Sequence, residues 1–382
     1  MTRTLPLLAT FLLLACERRF EIGTTTPVPP SPTVTVDEPK PECPSSPKDP
    51  LEELTIPARP EWMDRYASSN KGDMRFFDMS AVMSRHQLDR AATVELQNHY
   101  RDRSRTEPNA GPQAWFDHAL ARAKKAEFED RRDVAKLRDA PFIVVFDLDE
   151  TLYDQSYPAE VAAKCHDLEV KGDKPRRIKL APGADEILDR VSALGGAVVI
   201  FSANTDERTL ENLRAWSFGG KPLPEHAAIS GVLTNSHLVL QSTHEGAGAK
   251  DPKQGRPVLE PSKDLRIFDE SLTKVILVDD NPLRTFQPAN VRIVQKFDAE
   301  RWCNNDDAKV RKAFDRNLEA VADEIEESVR WMRSNKSDFV TAYLPYTQSG
   351  ALAVELLHAG GMSRRAAVEH IRKHPQLVER EF

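Results

Sequence analysis

Three stretches of the chain are apolar at every position: Phe142-Ile143-Val144-Val145-Phe146, Ala197-Val198-Val199-Ile200-Phe201 and Val275-Ile276-Leu277-Val278. A strand with one face in water alternates apolar and polar residues, so unbroken runs predict strands covered on both faces, as in a parallel sheet between helices. Ala227 to Gly231 and Val291 to Gln295 are further candidate strands. Between the first two runs, Pro182-Gly183-Ala184-Asp185-Glu186 opens a helix that Gly195-Gly196 closes. Strands alternating with helices imply a doubly wound α/β domain.

Helical spacing takes over on both sides. Upstream, Met79 to Tyr100 and Trp115 to Leu137 carry apolar residues at a partly helical period, for example Phe116, Leu120 and Ala123. Downstream, Phe314, Leu318, Val321, Ile325, Val329 and Met332 fall on one helix face, with Asp306 or Asp307 available as N-cap. Ala351 to Leu357 and Met362 to Lys373 predict two shorter helices. Both flanks are expected to cover the α/β core, and no internal repeat is visible.

The N-terminus follows neither pattern. Leu5 to Ala15 is apolar apart from Pro6 and Thr10, ends in Cys16, and is followed by Glu17-Arg18-Arg19. Eleven helical residues rise about 16 Å, short of a ~30 Å hydrocarbon core, so the run predicts a cleaved export signal rather than a membrane span. Leu13-Leu14-Ala15-Cys16 resembles a bacterial lipobox, which implies removal of residues 1–15, acylation of Cys16 and an exported, membrane-anchored lipoprotein, periplasmic or on the cell surface. Nine prolines between Pro27 and Pro50 then predict an extended tether over 16–50. The expected organisation is signal 1–15, tether 16–50, helical region 51–140, catalytic domain 141–300 and helical region 301–382.

Composition narrows the function classes. With 40% hydrophobic and 30% charged residues among 382, the chain is neither a polytopic membrane protein nor wholly disordered. A net charge of −7 argues against a general nucleic-acid binder, so no nucleic acid is expected as partner. Four cysteines make no disulfide scaffold and no zinc spacing. Once Cys16 is set aside three remain; Cys43 is available to pair with Cys165 or Cys303, or to stay unpaired.

Each clear strand ends in polar residues: Asp147-Leu148-Asp149-Glu150-Thr151, Ser202-Ala203-Asn204-Thr205 and Asp279-Asp280-Asn281. Ligands of open α/β sheets bind beyond the carboxyl ends of the strands, so these groups should converge. Asp147, Asp149 and Asp280 crowded together raise one another's pKa unless a cation compensates, and oxygen-only ligands select a hard ion such as Mg²⁺. Such an ion beside a carboxylate suits phosphoryl transfer.

Asp147-x-Asp149-x-Thr151, Ser202, Lys263 and Asp279-Asp280 resemble, in order and spacing, the four motifs of haloacid dehalogenase (HAD) superfamily phosphatases. Phe146 to Leu152, Pro182-Gly183, Ser262-Lys263-Asp264-Leu265 and Pro288-Ala289-Asn290 look most like the FCP-type, NLI-interacting-factor-like branch. The class C acid phosphatases are similar at Asp147 to Leu152 and at Thr209 to Leu213. The resemblance implies a HAD-like Rossmannoid parallel sheet with helices on both faces and a small cap or none, because Leu152 to Leu180 is too short for a large one.

The resemblance also implies roles. Asp147 attacks phosphorus and ligates Mg²⁺; Asp149 acts as general acid, then base, and binds the metal through its backbone carbonyl. Ser202 and Lys263 hold the phosphoryl group, Asp280 ligates the metal and Asp279 orients the site. Thr151, Ala203 and Asn204 are expected beside the substrate, although Ser202-Ala203-Asn204 departs from the branch's usual second motif. The expected activity is a Mg²⁺-dependent phosphomonoesterase acting on a phosphoprotein or small phosphate ester. The rival expectation is a non-catalytic binding or scaffold lipoprotein of the same fold. Ser242 to Ser262 is expected as a loop beside the site, with Lys250, Lys253 and Arg256 on it.

Overall fold

The computed structural model describes residues 79–125, 131–172, 175–242, 259–282, 287–304 and 308–378. The expected signal 1–15, Cys16, the tether with Cys43, residues 51–78, Lys250, Lys253, Arg256 and the caps Asp306 and Asp307 lie outside them.

In chain order the N-terminal helices are α1 (Met79–His86), α2 (Arg90–Thr106), α3 (Pro112–Lys124) and α4 (Val134–Asp139). The central region runs β1 (Ile143–Phe146), β2 (Tyr153–Asp154), α5 (Ala159–Ala162), β3 (Leu168–Val170), β4 (Arg176–Leu180), α6 (Ala184–Ala193), β5 (Ala197–Phe201) and α7 (Asp206–Ala215). It continues with β6 (Ser217–Phe218), β7 (Lys221–Pro222), β8 (Ile229–Leu233), β9 (Val239–Ser242), β10 (Leu259–Ser262), β11 (Val275–Asp279) and β12 (Val291–Ile293). Helices α8 (Ala299–Asn304), α9 (Ala308–Asn335), α10 (Phe339–Tyr343), α11 (Gln348–Ala359) and α12 (Arg364–Lys373) follow.

The three apolar runs are neighbours in one parallel sheet of order β12-β11-β1-β5-β8, with Val144 opposite Ile276 on one side and Val198 on the other. Successive side chains of a strand point to opposite faces, which sorts the runs into two cores. Phe142, Val144, Phe146, Val198, Ile200, Ile276 and Val278 pack with Ile187 and Leu188 of α6 and Phe314, Leu318, Val321 and Ile325 of α9. Ile143, Val145, Val199, Phe201, Val275 and Leu277 pack with Leu96 and Tyr100 of α2 and Trp115, Phe116 and Ala119 of α3. The helical flanks are thus the outer layers of a three-layer α/β sandwich, and the HAD-like fold class stands. Each fully buried side chain of this size contributes roughly 1.5–3 kcal/mol.

Several expected elements are corrected. Met79 to Tyr100 is broken, because Gln87 takes a left-handed conformation and the Asp89 carboxylate accepts from Ala92 N to cap a new helix. Trp115 to Leu137 is likewise not continuous: α3 ends at Lys124 and α4 starts behind its own cap, Asp133. The fifth strand lies two residues later than Ala227 to Gly231, since the Ala227 and Ala228 carbonyls accept from Lys136 Nζ. The ends of the expected loop Ser242 to Ser262 pair as antiparallel strands, Val239 opposite Ser262. Cys165 and Cys303 are joined to each other, so neither partner proposed for Cys43 is free.

Between β1 and α6 the described residues form the short α5 and the antiparallel sheet β2-β4-β3, a small cap as expected. Among the described residues no helix is long and apolar enough to cross a membrane.

Candidate active site

Because β1, β5 and β11 are adjacent and parallel, their carboxyl ends deliver Asp147, Ser202 and Asp279 to one edge of the sheet. The β9–β10 ladder adds Lys263, the residue after β10, to the same place. Lys263 is fully buried; its Nζ lies 2.5 Å from Asp147 Oδ1 and 2.7 Å from Asp279 Oδ2. Suitable carboxylate oxygens of Asp147, Asp279 and Asp280 lie within 4.8 Å of one another.

The turn after β1 shapes the rest. Glu150 adopts φ +64°, uncommon for a residue with a Cβ, and its N–H donates to Tyr153 O at 2.6 Å while its carbonyl accepts from Phe297 N at 2.6 Å. The reversal returns the buried Thr151 hydroxyl to Asp280, accepting from Asp280 N at 3.1 Å and donating to its Oδ1 at 3.3 Å. Asn281 N donates to Asp279 Oδ1 at 2.8 Å.

Asp149 turns the other way. Its Oδ2 accepts from Ser202 Oγ at 3.2 Å and from Asn204 Nδ2 at 2.9 Å, and its Oδ1 accepts from Gln155 Nε2. Ser202 Oγ also accepts from Asn204 N at 3.0 Å, so it caps its own loop rather than α7. Asp149 and Asn204 are half-buried; Ala203 packs against the core between the sheet and the N-terminal helices.

Electrostatics follow from burial. Asp147 is pushed well above the usual carboxylate range by burial, with Lys263 pulling it down and Asp279 pushing it up. Asp280 is raised by burial, then by Asp279 and Glu150. Burial disfavours the Lys263 cation, yet Asp147 and Asp279 outweigh it and hold the ammonium charged. Three carboxylates against one ammonium leave an excess of negative charge, and the all-oxygen donor set suits a hard divalent cation. The side chain of Asp149 stands outside that acidic trio, which leaves its backbone carbonyl as the donor expected of it.

The sequence reading missed a shell behind Asp149. Gln155 Oε1 accepts from Asn212 Nδ2 at 3.0 Å and Arg208 Nε at 3.2 Å; Asn212 Nδ2 also reaches Tyr153 Oη at 2.8 Å. It missed Arg90 too, whose guanidinium meets the fully buried Asp264, next to Lys263, at 2.5 Å. Asn212 lies within the Thr209 to Leu213 resemblance without a role attached to it, and Arg90, 174 residues from Asp264, has no sequence signal beyond a polar residue inside an apolar-periodic helix.

A family model described as NLI interacting factor-like phosphatase matches residues 142–330. Among solved structures, Fcp1, an essential RNA polymerase II CTD phosphatase, is 16% identical, with 50% of this chain and 54% of that chain covered and a TM-score of 0.29. The fission yeast RNA polymerase II CTD phosphatase Fcp1 bound to beryllium fluoride is 15% identical, with 58% and 66% covered and a TM-score of 0.29. The chain spans about half the length of the first of these. No curated protein sequence matches it.

Proposed function

Residues 142–330 belong to the NLI interacting factor-like phosphatase family, and from that premise we propose that the chain is a Mg²⁺-dependent phosphomonoesterase working through an aspartyl-phosphate at Asp147. The observation that carries this reading is the meeting of Asp147, Lys263, Asp279 and Asp280, from three separate parts of the chain, at one end of the sheet.

Asp147 Oδ attacks phosphorus while Lys263, 2.5 Å from Asp147 Oδ1, offsets the charge gathering on the phosphoryl oxygens. Asp149 gives a proton to the leaving oxygen, then takes one from the water that opens the aspartyl-phosphate, splitting one hard displacement into two easier ones. Ser202 hydrogen-bonds a phosphoryl oxygen and Asn204 keeps its loop in place. Asp147, Asp280 and the Asp149 carbonyl would hold Mg²⁺, with Asp279 orienting Lys263. When bound, the ion neutralises phosphate charge so that an anionic nucleophile can approach.

The small cap supports a substrate class that includes a phosphorylated protein segment as well as small esters. Export is supported by the Cys165–Cys303 disulfide, a bond that persists in oxidising compartments; the lipid on Cys16 rests on the lipobox resemblance, and loss of palmitate labelling in Cys16→Ala tests it. The activity is tested with p-nitrophenyl phosphate and Mg²⁺: Asp147→Asn should abolish turnover and phosphoenzyme formation. Undiminished turnover defeats the mechanism, and a wild type inert on a broad ester panel favours the non-catalytic rival.

A further inference from the structure

We infer that Gln155 is a positioning residue that orients Asp149, reserving Oδ1 as a hydrogen-bond acceptor and leaving Oδ2 as the oxygen that carries the proton. This rests on the phosphatase reading above and deepens it.

The orientation of the whole chain of groups is dictated by two arginines. A guanidinium only donates. Arg176 Nε donates to Asn212 at 3.1 Å, so the oxygen of the fully buried Asn212 amide faces Arg176 and its nitrogen faces Gln155 and Tyr153. Arg208 Nε donates to Gln155 at 3.2 Å on the same oxygen that accepts from Asn212. With Oε1 taken twice, Gln155 can turn only its Nε2 toward Asp149, where it donates to Oδ1. Arg176 is itself held by Glu211 Oε2 at 2.5 Å. The relay therefore has one polarity, from two fixed cations to one carboxylate oxygen.

Oδ2 differs in its company. Ser202 Oγ and Asn204 Nδ2 meet it at 3.2 and 2.9 Å, on the side of the second-motif loop where a phosphoryl oxygen is expected. A hydroxyl rotates freely, so Ser202 can redirect to the phosphoryl group and leave Oδ2 with Asn204 as its one donor and a lone pair open to a proton, whereas the Gln155 amide is locked from behind. In the first step the proton moves from Oδ2 to the leaving oxygen as the P–O bond breaks. In the second, Oδ2 takes a proton from water as its oxygen bonds to phosphorus and the acyl-phosphate bond opens.

Two variants test this: Gln155→Met, which keeps the side chain's length without a donor, and Gln155→Ala. Each is assayed on p-nitrophenyl phosphate, whose leaving oxygen needs little protonation, and on phenyl phosphate, whose phenol has a pKa of about 10. A displaced acid costs on the order of 10 to 100-fold. Both variants should lose at least about 10-fold more kcat/KM on phenyl phosphate than on p-nitrophenyl phosphate. With p-nitrophenyl phosphate, whose formation step is spared, acid-trapped phosphoenzyme should accumulate and KM fall together with kcat, because the base step slows. Equal losses on both esters, or no phosphoenzyme build-up, overturn the positioning role while the wild type's activity and the silence of Asp147→Asn leave the phosphatase reading standing. A wild type silent on both esters overturns the two together.

Discussion

Lys263→Met is the sharpest probe of the site's electrostatics. The ammonium is 1% exposed and bridges Asp147 and Asp279 at 2.5 and 2.7 Å. At an effective dielectric of about 20 each contact is attractive by roughly 6 kcal/mol, much of it offset by the desolvation of all three ions. Deleting the cation leaves two buried carboxylates facing one another, and breaking a buried pair in this way costs about 3–5 kcal/mol. Urea unfolding at pH 7 without metal should show that loss. The sign with pH follows from Asp147: a carboxyl whose folded pKa is raised favours the fold only while protonated, so its share of the cost is full above the raised value and shrinks as pH falls toward 4. Millimolar Mg²⁺ should recover part of it by binding the folded state. A deficit under about 1 kcal/mol, or one that ignores both pH and Mg²⁺, refutes a net-negative cluster balanced by Lys263.

Two further measurements address the surroundings. His237 is buried and lowered to about 4, by burial first, with Arg131, Arg132 and Arg101 adding to the effect and Asp206 opposing it. A depressed histidine stabilises the fold above pH 6.5 and loses that contribution as pH falls through the folded value, up to about 3 kcal/mol by linkage, so His237→Asn should flatten the wild type's stability slope between pH 6.5 and 4; an unchanged slope counts against it. The Cys165–Cys303 bond closes a separation of 138 residues and ties the small cap to α8. Replacing both cysteines by serine should lower the unfolding free energy by about 2–5 kcal/mol in denaturant melts, and an unshifted midpoint contradicts that.

What could be read from the chain was whatever repeats or clusters within a few residues. Val144 and Val145 are both apolar because both faces of β1 are covered, and an unbroken run states this directly. Asp147, Ser202 and Asp279 were legible because each sits where such a run stops. Lys263 was legible only by its resemblance to a motif, since nothing local distinguishes it from a solvated lysine. Gln155 carries no signal, and Asn212 only its place in the Thr209 to Leu213 resemblance: their meaning is a pairing across 57 residues, set by how α7 lies on the cap. Helix breaks were missed for a related reason, because Asp89 caps α2 inside a stretch whose apolar period continues past it.

The hardest feature to foresee was how far the N-terminal helices belong to the catalytic core. Arg90 of α2 reaches Asp264 beside Lys263; Gln97 donates to Leu238 O at 2.5 Å and Arg101 to Asn235 O at 3.0 Å, holding the loop after β8. Leu96, Tyr100, Trp115 and Phe116 cover the face of the sheet that presents Val145, Val199 and Leu277. A fragment starting at Phe142, where the family match begins, would lay that face open to water and take from Asp264 one of its two arginines, leaving Arg266 at 2.9 Å. A fully buried carboxylate that loses its 2.5 Å contact to Arg90 is less well compensated, and Asp264 is joined through one peptide bond to the lysine that bridges Asp147 and Asp279. The segment matched by the family therefore holds Asp147, Lys263, Asp279 and Asp280, while a helix before it braces the residue next to Lys263.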